Sequence, residues 1–301
     1  MKKIHTYYSK LFLWILITVI ISSGLVSGIS ILSNVNRIQS ITEQSLLSSA
    51  EQKVKIYEVN IRSLHALSKS IGDDVEIKNY FINLRNGVED EEFYQTLKIN
   101  LEEEVNSYSG LLDNTFFVYD DICYIDGVGG TSVGYSFSSE WYKKVMKDKI
   151  HYLGELKKSP VTGLSVIVSG YPVLDENNQV LAVFGLAINL NGFSNSIIFN
   201  SDNSKENTMI IDESGTIIAA NDTELIYNYD IDTELQKLSH YIEDGNEGIT
   251  YYKKDNVNYI AAVKKSELGV TIIQSLPVSV YRNPIIYSIM VSIFVLLMIL
   301  G

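Results

Sequence analysis

Two uncharged, apolar runs stand near the two ends of the sequence, with a mixed pattern between them. Residues 11–32 form a run of 22 positions without a charge, which is long enough to cross a bilayer as one helix. Residues 285–301 form a second uncharged run, and the sequence stops inside it. We predict transmembrane helices at residues 11–32 and 284–301, with residues 1–10 as a cytoplasmic N-terminus. The second helix is expected to be incomplete, with an output region beyond Gly301.

After the first run, apolar residues recur every three or four positions, which is the period of an amphipathic helix. The apolar stripe consists of Val54, Tyr57, Ile61, Leu64, Leu67 and Ile71. It predicts a helix over residues 33–74 that extends roughly 50 Å beyond the membrane, as a stalk rather than a core helix. Gly72-Asp73-Asp74 is expected to end it. We expect the first part of the stripe to pack against the same helix of a second copy, which predicts a homodimer.

The period then changes from helical to alternating. The predicted elements are helices at 75–85, 91–108 and 140–149, strands at 115–119, 122–125, 165–173 and 180–190, and turns at 120–121 and 175–178. Trp141, Val145 and Met146 are expected to face inward from the third helix. The order predicts a five-stranded sheet with helices on one face, which is a PAS-like α+β module.

A shorter version of this pattern occupies the last part of the mixed region. Its predicted strands are 208–212, 216–220, 249–252, 258–264 and 270–275, with a helix at 232–241. The predicted fold is therefore α+β, with a long N-terminal helix and two tandem PAS-like antiparallel-sheet modules, flanked by two transmembrane helices. The modules are predicted at residues 75–195, distal to the membrane, and 196–280, next to it.

Charge is distributed unevenly along the chain. Residues 1–32 carry three lysines and no acid, and residues 285–301 are uncharged, so the middle has a formal net charge of −15 against −12 for the whole chain. An acidic domain is a poor nucleic-acid binder, because binding to phosphates needs positive charge. By the positive-inside rule, the lysines place Met1 in the cytoplasm and residues 33–283 outside the cell. A cleaved signal peptide at residues 1–32 is the alternative interpretation.

Candidate chemistry in the middle region is sparse. Cys123 is the only cysteine, which excludes an intrachain disulfide, and its apolar neighbours indicate a buried strand residue. A single cysteine in an outside domain of this size fits a bacterial surface protein. The glycine-rich loop 127–134 lacks the ending of a P-loop, the four histidines lack metal-ligand spacing, and no nucleophile–base pair stands out. We predict no cofactor, no metal and no enzyme activity in these residues.

Three strings of the sequence resemble the double Cache (tandem PAS-like) sensor domains of bacteria. SEWYKKVMK at 139–147 is similar to the family's R-x-WY-x-x-A segment, and IIDESGTIIAA at 210–220 is similar to the opening of its membrane-proximal module. Residues 160–190 resemble the family's long hairpin. The resemblance covers nearly the whole chain and implies an extracellular domain that binds a small-molecule ligand.

The resemblance also implies a ligand pocket in the distal module. Carried over by position, the pocket groups are Trp141, Tyr142, Lys157, Ser159 and Asn189, and Tyr119 and Tyr135 are further candidates as hydroxyl groups. Three alternatives remain open. In these alternatives, Trp141 is a core residue, Lys157 is a solvated charge in a polar loop, and Asn189 caps the next turn.

The match to family members that bind α-amino acids is incomplete. Those members clamp the ligand's carboxylate with an arginine at the position of Ser139, and receive its ammonium on an aspartate at the position of Asn189. Lys157 supplies positive charge for an anion, but without the planar, bidentate geometry of arginine. The class of the ligand stays open.

Domains of this family belong most often to chemotaxis receptors. The resemblance therefore implies a multi-pass receptor of a bacterial cell membrane that acts as a homodimer and signals to cytoplasmic proteins through its second membrane helix. Two alternatives remain. One is the sensor region of a histidine kinase or a diguanylate cyclase, and the other is a truncated, membrane-anchored binding module with no output.

Overall fold

One helix of 71 residues, α1 (Lys2–Gly72), packs along both sheets of the protein. The computed structural model describes residues 2–108, 110–198, 206–226 and 236–300. The helix ends at Gly72, as the sequence predicts. Asp74 then caps the next helix, because its side chain accepts hydrogen bonds from two backbone N–H groups.

Helix α1 is a core element, so the prediction of a free stalk is wrong. Tyr57 and Leu64, from the stripe predicted to meet a second copy, are each 2% exposed and pack in the core of their own chain. Tyr57 makes an edge-to-face contact with Phe193, with ring centroids 5.7 Å apart. The stripe is therefore occupied within the chain and is not available to a second copy.

The first sheet has five antiparallel strands in the order β2-β1-β5-β4-β3. The strands are β1 (Leu112–Tyr119), β2 (Ile122–Asp126), β3 (Tyr152–Lys158), β4 (Ser165–Leu174) and β5 (Val180–Asn189). The helices around the sheet are α2 (Val75–Arg85), α3 (Glu91–Ser107) and α4 (Glu140–Asp148). The predicted β1–β2 hairpin is confirmed. Its turn residues, Asp120 and Asp121, have φ angles of 51° and 60°, as a two-residue type I′ turn requires.

Helices cover both faces of this sheet, whereas the sequence predicted helices on one face. Successive residues of β1 point to opposite sides. Phe117 packs against Phe81 of α2, with ring centroids 5.2 Å apart. Its neighbour Phe116 belongs to a separate cluster that contains Trp141 of α4. The sheet is therefore the middle layer of a three-layer arrangement.

Helix α4 rests on two glycines of the sheet. A Cβ atom at Gly154 would lie 2.9 Å from Trp141 side-chain atoms, and one at Gly170 would lie 2.6 Å from the Trp141 ring. The absence of these side chains makes room for the indole ring. Trp141 and Val145 face inward as predicted, but Met146 is 38% exposed, so its predicted inward position is wrong.

The edge strand β3 lies where the sequence predicted a polar loop. Lys157 and Lys158 are paired with Val166 and Ser165 of β4. The strand carries two lysines and a glycine, so the alternating apolar signal of a strand is weak. Lysines are common on edge strands, where they hinder pairing with another sheet.

The second sheet repeats the topology of the first, in the order β7-β6-β10-β9-β8. Its strands are β6 (Asn207–Ile211), β7 (Ile217–Ala220), β8 (Gly248–Lys254), β9 (Val257–Lys265) and β10 (Thr271–Pro277). Helix α5 (Leu190–Ile198) precedes the sheet, and α6 (Gln236–Glu243) follows a 3-10 turn at Thr223–Leu225. The first four residues of the helix predicted at 232–241 lie outside the described residues. The α+β class, with a long N-terminal helix and two antiparallel sheets, is confirmed.

Helix α7 (Val278–Leu300) follows β10 without a linker and contains Pro284. Among the described residues, no helix combines the length and the apolar character needed to span a membrane. The membrane spans predicted at residues 11–32 and 284–301 are therefore not confirmed.

Candidate functional site

A cavity of about 360 Å³ lies on the α4 face of the first sheet. Phe116, Val168 and Ala187 form its apolar floor, and its walls come from the loop residues 132–139 and from residues 157–161, at the end of β3 and in the turn that follows it. Small-molecule sites commonly measure about 300–1,000 Å³ and combine apolar surface with a few polar groups. The cavity has the size and the composition of such a site.

Asp126 fixes the glycine-rich loop above this cavity. Its side chain is 1% exposed and accepts hydrogen bonds from the backbone N–H groups of Val128, Gly130 and Ser132 at 3.2, 2.6 and 2.6 Å. The Ser132 hydroxyl also bonds to Asp126. A second bond joins Ser132 Oγ to Asn114 Nδ2 at 2.8 Å. The loop and strand β1 are therefore linked by one buried hydrogen-bond network.

A β-bulge brings two adjacent polar residues of β1 to the cavity. Leu112 pairs with Ile188 and Asn114 pairs with Ala187, so Asp113 is the extra residue on its strand. Regular alternation would place Asp113 and Asn114 on opposite faces, but both line the cavity. They are 7% and 4% exposed.

Four buried side-chain atoms at or beside the cavity have no hydrogen-bond partner in the described part of the chain. They are Asp113 Oδ2, Asn114 Oδ1, Ser139 Oγ and Trp141 Nε1. The other carboxylate oxygen of Asp113 accepts a hydrogen bond from Thr162 Oγ1 at 2.6 Å. An unpaired buried polar group costs roughly 1–3 kcal/mol, and a charged one costs more. A ligand that pairs these atoms recovers that free energy.

Lys157 is a cationic group in the cavity wall. Its Nζ lies 5.8 Å from the centroid of the Trp141 ring and 6.0 Å from that of Phe137. Burial lowers the pKa of the Lys157 ammonium, and a bound anion would favour the charged form. Trp141 is 3% exposed and stands behind this wall rather than lining the cavity.

Three other predicted site residues take different places around the cavity. Ser159 lines it, and its Oγ accepts two backbone hydrogen bonds at 3.3 Å from the turn that follows β3. Tyr135 also lines it and is 46% exposed. Tyr142 is buried and does not line the cavity, and its hydroxyl donates to Asp121 Oδ1 at 2.9 Å. Burial and then this bond raise the pKa of Tyr142.

Asn189 and Tyr119 are not among the cavity-lining residues. Asn189 Oδ1 accepts hydrogen bonds from the N–H groups of Asn191 and Gly192 at 3.0 and 3.4 Å, in the first turn of α5. Tyr119 lies with the core on the opposite face of β1, where its ring stacks on Phe81 at a centroid distance of 5.9 Å. We leave both residues out of the proposed site.

Cys123 is fully buried in β2, as the sequence predicts. Burial, as the largest cause, raises the pKa of the thiol to about 11, so the reactive thiolate is scarce at neutral pH. Among the residues the structure describes, no cluster of three or more His, Cys, Asp or Glu side chains is arranged to hold a metal ion.

A larger cavity of about 830 Å³ lies between the two sheets. Its lining includes Tyr57 of α1, Phe193 of α5, and Asp212 and Glu213 from the turn after β6. None of the unpartnered buried polar atoms found in the described residues lines it. The smaller cavity is therefore the stronger candidate for ligand binding.

Asp113, Asn114 and Ser132 were not assigned to the site by sequence reasoning. Their signal is an Asp-Asn pair at the start of an otherwise apolar strand, followed 18 positions after the asparagine by a serine in the glycine-rich loop. A polar pair in a buried strand marks a functional site only once the bulge that turns both residues to one face is known.

Comparisons with known proteins give one family and a group of similar folds. A family model for a Cache domain, dCache_1, matches residues 30–285. No curated protein sequence matches the chain. The ligand-binding domain of the Campylobacter jejuni chemoreceptor Tlp3, in complex with L-valine, is 14% identical with a TM-score of 0.62, over 82% of this chain and 97% of that one.

Two further solved structures have similar folds. The ligand-binding domain of the Pseudomonas aeruginosa amino acid chemoreceptor PctB, in complex with L-Arg, is 14% identical with a TM-score of 0.61, over 79% of this chain and 88% of that one. The sensor domain of the V. cholerae histidine kinase DctB is 13% identical with a TM-score of 0.56, over 78% and 98%. At these identities, the likeness shows the fold alone.

The resemblance found in the sequence is therefore confirmed at the level of the family. The family model spans both sheets and most of α1. Because it covers well over half of the chain, this protein belongs to the Cache-domain family, dCache_1.

Proposed function

We propose that this chain is the sensory region of a transmembrane receptor that binds a small molecule outside a bacterial cell. Membership of the Cache family supports a sensor role without catalysis. The uncharged runs at residues 11–32 and 284–301, together with the N-terminal lysines, support two membrane helices with residues 33–283 between them on the outer side. In this arrangement, the lipid bilayer is a partner of the chain and contacts it at both membrane helices.

One observation carries the ligand-binding proposal. The cavity on the first sheet is lined by buried polar atoms that have no partner within the described residues, at Asp113, Asn114 and Ser139. Interiors rarely leave such atoms unpaired. A small ligand in the cavity gives these atoms partners and so stabilises the bound state.

Lys157 is the proposed binding residue for an anionic group of the ligand. The neighbours Tlp3 and PctB were solved with L-valine and L-Arg, so amino acids are the first compounds to test. Ser139 cannot replace the arginine clamp of amino-acid-binding relatives, and a lysine acts as a point charge. We therefore expect weaker selection among carboxylates than a bidentate arginine provides.

Signal transmission is proposed to use the direct connection from β10 to α7. Ligand binding shifts the equilibrium between two arrangements only by the difference between its affinities for them. Pro277 ends β10 and Val278 begins α7, so a movement of the second sheet displaces the helix without an intervening linker. A homodimer remains part of this proposal, but its contact must use a surface other than the buried stripe around Tyr57.

Chemotaxis is the output we propose first, with cytoplasmic signalling proteins as partners, because chemoreceptors recur among the structural neighbours. A histidine kinase is the second candidate. The sensor domain of DctB, a histidine kinase, has a similar fold. The two outputs share the cavity proposed here and differ only in the cytoplasmic region beyond the second membrane helix.

The test uses the full chain in detergent micelles, with the Trp14→Phe change so that Trp141 is the remaining tryptophan. Amino acids, carboxylates, amines and purines are added while thermal unfolding and Trp141 fluorescence are recorded. A ligand raises the unfolding midpoint in a concentration-dependent way. Absence of any response across these four classes contradicts the proposal.

Lys157→Met tests the anion-binding role. Lys158→Met is the matched control, because Lys158 is the next residue of the same strand and does not line the cavity. We expect the first change to weaken binding of anionic ligands about tenfold or more, and the second to leave it unaltered. Trp141→Ala is a poorer probe, since Trp141 is a core residue whose loss costs about 3–5 kcal/mol of stability.

A further inference from the structure

We infer that Asp113 and Asn114 bind the cationic nitrogen of the ligand, so that the ligand is an organic ammonium compound. The inference rests on the proposed function, because it names the ligand class of the same cavity. Both residues are more than nine-tenths buried, and each keeps one side-chain oxygen without a partner in the described chain. Both line the cavity.

The hydrogen-bond network fixes which group Asn114 presents to the cavity. Asp126 is a carboxylate and only accepts, so the Ser132 hydroxyl must donate to it. The oxygen of Ser132 then accepts from Asn114, which orients the Nδ2 group of that amide toward the loop. Asn114 Oδ1 is left as an unpaired acceptor. The direction of the network therefore follows from the buried charge at Asp126.

Asp113 adds a carboxylate oxygen to the same cavity. The bulge at the start of β1 turns these two adjacent residues toward one face of the sheet, where both line the cavity. Among the described residues, Asp113 Oδ2 has no hydrogen-bond partner, although Lys157 lines the same cavity. A buried carboxylate oxygen without a partner is costly, and a cationic donor compensates that cost most fully.

The number of donors on an ammonium group matches the number of unpartnered acceptors that line the cavity. An ammonium has three N–H donors. Asp113 Oδ2, Asn114 Oδ1 and Ser139 Oγ are three unpartnered oxygens that line one cavity. A hydroxyl ligand offers a single donor and no charge, and a carboxylate ligand offers none. An ammonium compound therefore pairs more of the cavity's acceptors than either.

The proposed binding site for the cation lies on β1 and not at the end of β5, where the family resemblance had placed it at Asn189. Asn189 Oδ1 already accepts two backbone hydrogen bonds in the first turn of α5, and Asn189 does not line the cavity. An amide oxygen has two lone pairs, so Asn189 Oδ1 has no further acceptor capacity for a ligand. The negative charge needed for a cation is supplied by Asp113 instead.

The experiment compares Asp113→Asn and Asn189→Ala with the unsubstituted chain, each with Trp14→Phe and in detergent micelles. The probes are L-valine, isobutylamine, methylammonium and isovalerate, which is valine without its amino group. Asparagine retains an oxygen for the Thr162 hydrogen bond but lacks the charge. Dissociation constants are measured from Trp141 fluorescence, and unfolding midpoints are measured without ligand.

We expect L-valine or one of the two amines to bind about tenfold or more tightly than isovalerate, and Asp113→Asn to remove that preference. Isovalerate binding and the unfolding midpoint of the empty protein should not fall in Asp113→Asn. Asn189→Ala should keep the preference. The inference is overturned if Asp113→Asn retains the preference, if Asn189→Ala loses it, or if none of the three nitrogen compounds binds. If none of the three nitrogen compounds binds, but isovalerate or a purine from the wider screen does bind, this inference fails while the proposed ligand-sensing function still holds.

Discussion

Gly170→Ala tests whether two paired strand positions require glycine so that aromatic rings can pack against the sheet. Gly170 of β4 pairs with Gly185 of β5. A Cβ atom at Gly170 would lie 2.6 Å from the ζ3 carbon of Trp141 and 3.0 Å from a methyl of Val145. A Cβ atom at Gly185 would instead clash with the ring of Phe116.

The cost of Gly170→Ala follows from this geometry. Carbon atoms in contact sit about 3.5–4.0 Å apart, so the indole ring must move by about 1 Å. It cannot retreat freely, because its other atoms already lie against the backbone at Gly154. Such overpacking costs about 1–3 kcal/mol, and the loss of glycine flexibility in the unfolded chain returns about 0.4–1 kcal/mol. We expect the free energy of unfolding to fall by about 1–2 kcal/mol.

A double-mutant cycle with Trp141→Phe separates this clash from other effects. Phenylalanine lacks the indole ring atoms that a Cβ at Gly170 would meet and leaves only the 3.0 Å contact with Val145, so Gly170→Ala should cost less than about 1 kcal/mol in that background. Gly185→Ala is the matched control, because its clash partner is Phe116 and its cost should be equal in both backgrounds. Urea unfolding followed by circular dichroism measures each free energy. Equal costs of Gly170→Ala in the two backgrounds would refute the reasoning.

Two other predictions concern pH and turn geometry. Burial, and then the neighbouring His65, lower the pKa of His151 to about 4. The unfolded chain therefore binds more protons below pH 6.5, and stability should fall by on the order of 2 kcal/mol from pH 7 to pH 5. Urea unfolding at the two pH values should show a smaller drop in His151→Asn, and an identical drop would contradict the assignment. Asp255 and Asn256, with φ of 48° and 63°, join β8 to β9. Asn256→Gly should raise stability by about 0.5–1 kcal/mol, and an unchanged thermal midpoint would argue against this turn type.

The alternating and helical periods of the sequence predicted most elements to within a few residues, but they could not identify what each face contacts. The Tyr57 stripe of α1 has the same spacing whether it meets a second copy or the sheets of its own chain. Periodicity specifies the apolar face and leaves its partner open. The error on the stalk has that cause, and so does the expectation that the first sheet has one covered face.

The site was predictable where local sequence matched a family motif and not where backbone irregularity decides it. Lys157 and Ser159 were found through the alignment to the family, Tyr135 was a further candidate because of its hydroxyl group, and all three line the cavity. Asp113 was missed because a one-residue bulge reverses the side to which it points, and no residue pattern in the strand reports that bulge.

The shared strand order of the two sheets has a consequence for synthesis of the chain. In each sheet the central strand is the last of the five along the chain, and it pairs with the first, as β5 pairs with β1 and β10 pairs with β6. Neither sheet can close until that last strand has left the ribosome, at Asn189 and Pro277 respectively. About 200 residues separate the end of α1 from Pro277, which corresponds to about 10–40 s of translation at about 5–20 residues per second. During this interval, the apolar stripe of the nascent α1 lacks part of its final cover, so apolar surface that is buried in the folded protein is still exposed.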